Sequence, residues 1–145
     1  MKKLITLMLA ALLVLNLTAC GGQELELGTV AVDFSENVVL SDQGEVIQAA
    51  ADQCDLEIGF YTDGKSVQDV LLETGHMNED ASDFVPEKTV CSAALLGPND
   101  ALLVKVPYFE TMPNLRLTYT GANGTARFYV TQSGKDGSLV LVDAG

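Results

Sequence analysis

Apolar and polar positions alternate in short runs along most of this chain, and the rhythm changes twice. Leu25 and Leu27, then Val30, Val32 and Phe34, alternate with polar or small residues, and Gly28 shifts the phase. That pattern predicts a first strand bent or bulged at the glycine, with Val38-Val39-Leu40 extending it or pairing with it. From Asp42 the spacing turns helical. Asp42 stands three residues before Glu45, as in a capping box, where each side chain covers the other's free backbone amide. Val46, Ile47, Ala50, Ala51 and Cys54 then share one helical face, with Gln48, Asp52 and Gln53 opposite. Leu56–Thr62 alternates again and reads as a strand. A second short helix is expected with Ser66 as N-cap, a Val67, Val70 and Leu71 stripe, and Gly75 as its stop. Positions 76–86 are polar and aperiodic and read as a long exposed loop.

Beyond Thr89 the pattern is one of strands between strong turns. Positions 90–96 and 101–108 flank Gly97-Pro98-Asn99-Asp100, and Leu115, Leu117 and Tyr119 alternate with Arg116, Thr118 and Thr120. Asn123-Gly124 is a strong hairpin signal, because both residues tolerate positive φ. Phe128 and Val130 oppose Arg127 and Tyr129, and the turn at Gly134-Lys135-Asp136-Gly137 leads into 139–142. Five such strands suggest an antiparallel meander. The expected fold is therefore α+β: one globular domain over 25–145, with two short helices from its first half covering a mostly antiparallel sheet. The alternative, if either helix is really a strand, is an immunoglobulin-like β-sandwich.

Charge narrows the partners. The 145 residues hold 8 basic and 20 acidic side chains, a formal charge of −12. Nucleic acid, which calls for a basic footprint, is excluded, and so is a domain lying flat on anionic lipid. Positions 21–87 hold most of the acids against the single Lys65, while the rest is nearly neutral. A solvated acidic face explains this as a matter of solubility. The sharper reading is a surface for a cationic peptide or a divalent ion.

The first residues concern location. Lys2 and Lys3 precede an apolar run over 4–15, which ends at Leu17-Thr18-Ala19-Cys20 followed by Gly21-Gly22. The layout is that of a secretory signal peptide, and the run is short for a membrane span. With its cysteine in this register, the segment resembles the lipobox of bacterial lipoproteins. The resemblance implies a signal peptide over 1–19, a diacylglyceryl group on Cys20 that becomes the new N-terminus, and a tether over 20–24. It also implies anchorage at the cell membrane, on the extracytoplasmic side. Loss of Lys2 and Lys3 would take the formal charge from −12 to −14. In that compartment Cys54 and Cys91 are expected to form a disulfide, worth about 4 kcal/mol by chain entropy for such a loop. The alternative is two free, buried thiols.

Several motifs invite chemistry. Gly59 through Ser66 fits GxxxxGK[ST] between an expected strand and an expected helix, and Leu139-Val140-Leu141-Val142-Asp143 resembles a magnesium-holding strand. Together they resemble a P-loop nucleotidase. Bulky Phe60 and Tyr61 where backbone must wrap phosphate, Asp63 beside a polyanion, and a meander in place of a parallel sheet all oppose it. Asn78-Glu79-Asp80-Ala81-Ser82-Asp83 begins like a calcium loop but lacks the central glycine, and Thr89 stands where the closing glutamate belongs. His76 is the sole histidine, which excludes a histidine-based metal cluster. Neither catalytic nor metal-binding nor cofactor-binding residues are assigned. The expected function is that of a lipid-anchored binding or accessory domain of the cell envelope, with a protein or peptide partner at the acidic surface. The alternatives are an exported hydrolase working through paired carboxylates, or a purely structural envelope protein.

Overall fold

The structure is a computed structural model that describes residues 25–145. The segment expected as a signal peptide over 1–19, Cys20 and the expected tether over 20–24 lie outside the described residues. Nine strands run in order: β1 (Val30–Phe34), β2 (Val46–Ala50), β3 (Leu56–Thr62), β4 (Val67–Met77), β5 (Phe84–Leu96), β6 (Ala101–Val106), β7 (Leu115–Gly121), β8 (Gly124–Gln132) and β9 (Leu139–Asp143). They form two sheets, ordered β1-β3-β6-β2 and β5-β4-β7-β8-β9. Every pairing is antiparallel except β2 with β6, which is parallel.

The α+β expectation is thus overturned: among the described residues there is no α-helix, only a 3-10 turn at Ser35–Asn37. The β-sandwich of the alternative fits instead. Both expected helices are strands, for identifiable reasons. In β4, Asp69 takes φ 51 and the pairing slips past it. This bulge turns the two-residue spacing of a strand into the three-residue gap between buried Val67 and Val70, which mimics a helical stripe. In β2, half-buried Ile47 and Ala49 alternate with exposed Val46, Gln48 and Ala50, a period-two reading that the same residues also allow. The segment expected as a long loop is strand at both ends, because β4 reaches Met77 and β5 begins at Phe84, and only positions 78–83 turn between them. The five-strand meander shrinks to β7-β8-β9, since Gly97-Pro98-Asn99-Asp100 carries the chain from one sheet to the other.

The sheets close on a shared core. Ile58, Phe60, Leu102, Val104 and Val106 from the first meet Val67, Val70, Leu72, Leu96, Leu115, Leu117, Tyr119 and Val130 from the second. Burial of these side chains is the main favourable contribution to the fold. The strands interlock: β3 pairs with β6, while their successors β4 and β7 pair in the opposite sheet. Tyr119 ties the layers, its hydroxyl accepting from the Val30 amide at 3.4 Å.

The connection from β1 to β2 crosses the outer face of the first sheet as a strap. Val38, almost fully buried, lies over Gly59, where a Cβ would sit 2.6 Å from Val38 Cγ2 and 3.0 Å from Leu103 Cδ2. Only a residue without a side chain leaves room for it. Asp100 fastens the far end, accepting from the Glu45 amide at 2.8 Å and the Gly97 amide at 2.6 Å. On the outer face of the second sheet, Arg116 pairs with Glu73 at 2.8 Å under the ring of Phe84, which also meets Tyr129.

Candidate functional site

The sandwich has two sides. On one, β1 approaches β9; on the other, β2 approaches β5. On the second side a cleft of about 450 Å³ opens, floored by Thr74 and Gly75 of β4 and walled by Ala50 to Gln53, Glu87 to Val90 and the β6–β7 loop. Its polar groups come from both sheets. Lys88 of β5 reaches across to Asp52, which follows β2, and His76 Nδ1 lies 2.7 Å from Glu87 Oε1. Asp52 raises the Lys88 ammonium above its ordinary value of 10.5, first by its hydrogen bond and then by its charge. Glu110 also lines the cleft and has no ion pair among the described residues. Asn114 is held in place by donating to the Tyr108 carbonyl at 3.0 Å.

Chemically this is a recess of mixed charge with an excess of carboxylates. It suits a ligand that brings a cation and leaves a carbonyl or carboxylate for Lys88. Asp52 and Glu87 each already face a basic partner.

The motif residues singled out by sequence lie elsewhere, except His76 and Thr89, which line the cleft. The phosphate-loop match is built as a strand through Thr62, a turn with Gly64 at φ 94, and a further strand from Val67. No helix N-terminus follows to receive a phosphate. Its space is filled by the segment that leads into β1: Gly28 donates to the Ser66 carbonyl at 2.9 Å and Lys65 pairs with Glu26 at 2.9 Å. The Asp63 carboxylate accepts from the Thr29 amide and hydroxyl, both at 3.2 Å, and the amide bond is the main cause that lowers it below its ordinary 3.8. The segment weighed as a calcium loop is a self-closed turn, with Asn78 Oδ1 accepting from the Ser82 and Asp83 amides at 2.9 and 3.1 Å. Among the described residues no three His, Cys, Asp or Glu side chains converge on a metal position.

Cys54 and Cys91 are free thiols and do not stand at disulfide distance, contrary to the expected bond. Cys54 is exposed in the turn after β2, where its thiol donates to the Ala51 carbonyl at 3.0 Å. Cys91 is half-buried against the core, and burial raises its thiol above the ordinary 9.0. Iodoacetamide on the reduced native chain is therefore expected to modify Cys54 promptly and Cys91 only slowly. Mass spectrometry of timed peptides checks this; equal rates, or a linked Cys54–Cys91 peptide from native material, would contradict the placement.

No single motif announces the cleft. Asp52 and Lys88 lie 36 positions apart and meet only because two sheet edges converge. No protein-family model, curated protein or solved structure matches the chain.

Proposed function

We propose that the chain is a lipid-anchored, extracytoplasmic binding domain of the cell envelope, and that its site is the cleft between β2 and β5. The lipobox resemblance at Cys20 supports the location. The observation that carries the binding role is the recess itself: carboxylates from two sheets, bridged at one point by Lys88 and Asp52, with Glu110 in no ion pair among the described residues. The ligand class is a primary ammonium or guanidinium, as on a basic side chain.

The test is a titration of the full chain in detergent micelles with Nα-acetyl-lysine amide and Nα-acetyl-arginine amide. Amide shifts are expected at Ala50 to Gln53, Thr74 to His76 and Glu87 to Val90, and Glu110→Gln should weaken them. Shifts scattered over all acidic surfaces would count against the site. For the anchor, Cys20→Ser is expected to move the protein out of the detergent phase; unchanged partitioning would remove that part of the proposal.

A second reading, a purely structural envelope domain, is favoured by one observation. Asp52 and Glu87 in the cleft are already paired with groups of the chain itself. Absence of localised shifts with either cation would decide for it.

A further inference from the structure

A sheet edge carries unpaired amides and carbonyls, and proteins guard such edges with charge, proline, bulges or cover. The described sandwich has four edge strands, and three are guarded. β5 carries Pro86, Glu87 and Lys88 and slips register twice against β4. β1 and β9 each carry an aspartate, Asp33 and Asp143, besides approaching each other. β2 approaches β5 across the cleft but has no charge, proline or bulge of its own: Val46-Ile47-Gln48-Ala49-Ala50 is uncharged, regular and without proline.

The parallel ladder fixes which groups of β2 are free. Ala101 donates to the Glu45 carbonyl and Ala51 donates to the Lys105 carbonyl. In parallel pairing the intervening bonds then belong to Ile47 and Ala49. The amides and carbonyls of Val46, Gln48 and Ala50 point away from β6, and β2 has no other neighbour strand. All three residues are exposed, and Ala50 is also a wall of the cleft.

We propose that β2 accepts an extended peptide as a fifth strand of the first sheet, with a basic side chain at its Ala50 end entering the cleft toward Glu110. Main-chain bonds to Val46, Gln48 and Ala50 supply affinity, and the carboxylate-rich recess selects the cation. This rests on the cleft being the binding site. The unguarded edge and the charge of the recess it leads into together specify the partner: a flexible, basic, strand-forming segment.

The probe is an acetylated and amidated hexapeptide of alternating threonine and valine with one lysine near its end, beside a matched peptide with glutamate there. Added to the full chain in micelles, the lysine peptide is expected to slow hydrogen exchange at Val46, Gln48 and Ala50 by about tenfold or more, leaving Ile47 and Ala49 unchanged. The glutamate peptide should bind about tenfold more weakly, the equivalent of one ion pair. Gln48→Pro should abolish binding at unchanged Tm, because an edge position whose amide faces solvent tolerates proline. If that variant lowers Tm, Val46→Pro serves the same purpose.

Unchanged exchange along β2, with amide shifts confined to the cleft, would overturn strand addition and leave the cleft reading standing. No response in either region would end both. Protection of β2 that rises with protein concentration alone would assign the edge to a second copy of the chain, and that too would overturn the proposal.

Discussion

Phe60→Ala is expected to lower the unfolding free energy by about 4 kcal/mol, the middle of the range for deleting a buried phenylalanine. Phe60 is fully buried in β3, among the largest side chains of the core shared by the two sheets. Truncation removes its transfer free energy and leaves a cavity that flanking strands, held by ladder bonds on both sides, are poorly able to collapse. Against a total of about 5–15 kcal/mol for a domain, the variant would be close to unfolding. Urea titration of the full chain followed by far-UV circular dichroism measures it. Tyr61→Ala, one position along on the opposite face, should cost far less. The contrast also bears on the rejected phosphate loop, in which neither ring belongs to a core. Equal, small losses at both positions would show that β3 does not run as described.

Arg116→Ala is the second large effect, about 3 kcal/mol. The Arg116 and Glu73 side chains are only 20% and 13% exposed, and the guanidinium donates through Nε at 3.2 Å and through a terminal nitrogen at 2.8 Å to one carboxylate oxygen. The Phe84 ring lies 4.8 Å from the guanidinium carbon. Removing the cation strands a carboxylate in a half-dry site and takes away the platform under Phe84. The loss should therefore come mainly from the orphaned charge. Arg116→Met with Glu73→Leu is expected to recover most of it, since an apolar pair of similar volume avoids the desolvation cost altogether. A double-mutant cycle in urea reads the coupling directly. A double variant as unstable as Arg116→Ala would locate the effect in packing under Phe84 instead.

Which elements were legible follows from how local their signals are. β3 has its bounds in plain alternation, and β7 with its Leu115, Leu117, Tyr119 stripe is buried on that face throughout. The hairpin after β7 was visible too, although Gly124 alone takes the positive φ, at 92, and Ala122-Asn123 form the turn. β2 and β4 were misread because each carries an ambiguity that only a partner resolves. The bulge at Asp69 inserts a residue and counterfeits a helical interval. β2 gains its ladder from β6, some fifty positions later, and local propensity gave no notice of it. Of the cleft, only His76 and Thr89 were weighed for chemistry from sequence. Its remaining groups are ordinary surface residues on four separate segments, and what makes them a site is the approach of two sheet edges, a property of the assembled layers.

The strap and β2 also set an order of events. β1 can pair with β3 as soon as both exist, and β4 can fold back on β5 as a hairpin. The Glu45 amide that the strap end presents, however, waits for Asp100, and β2 has no partner before β6. Residues made early are thus committed late, and a chain emerging from its N-terminus carries Val46 to Ala50 as a bare, uncharged β-prone stretch until its second half arrives. Non-local pairing of this kind slows folding and lengthens exposure to mispairing with neighbouring chains. Rapid refolding from urea should accordingly leave the strap as the last segment to gain exchange protection. A charge placed at Gln48 should improve the yield of soluble protein more than it changes the stability of the finished fold.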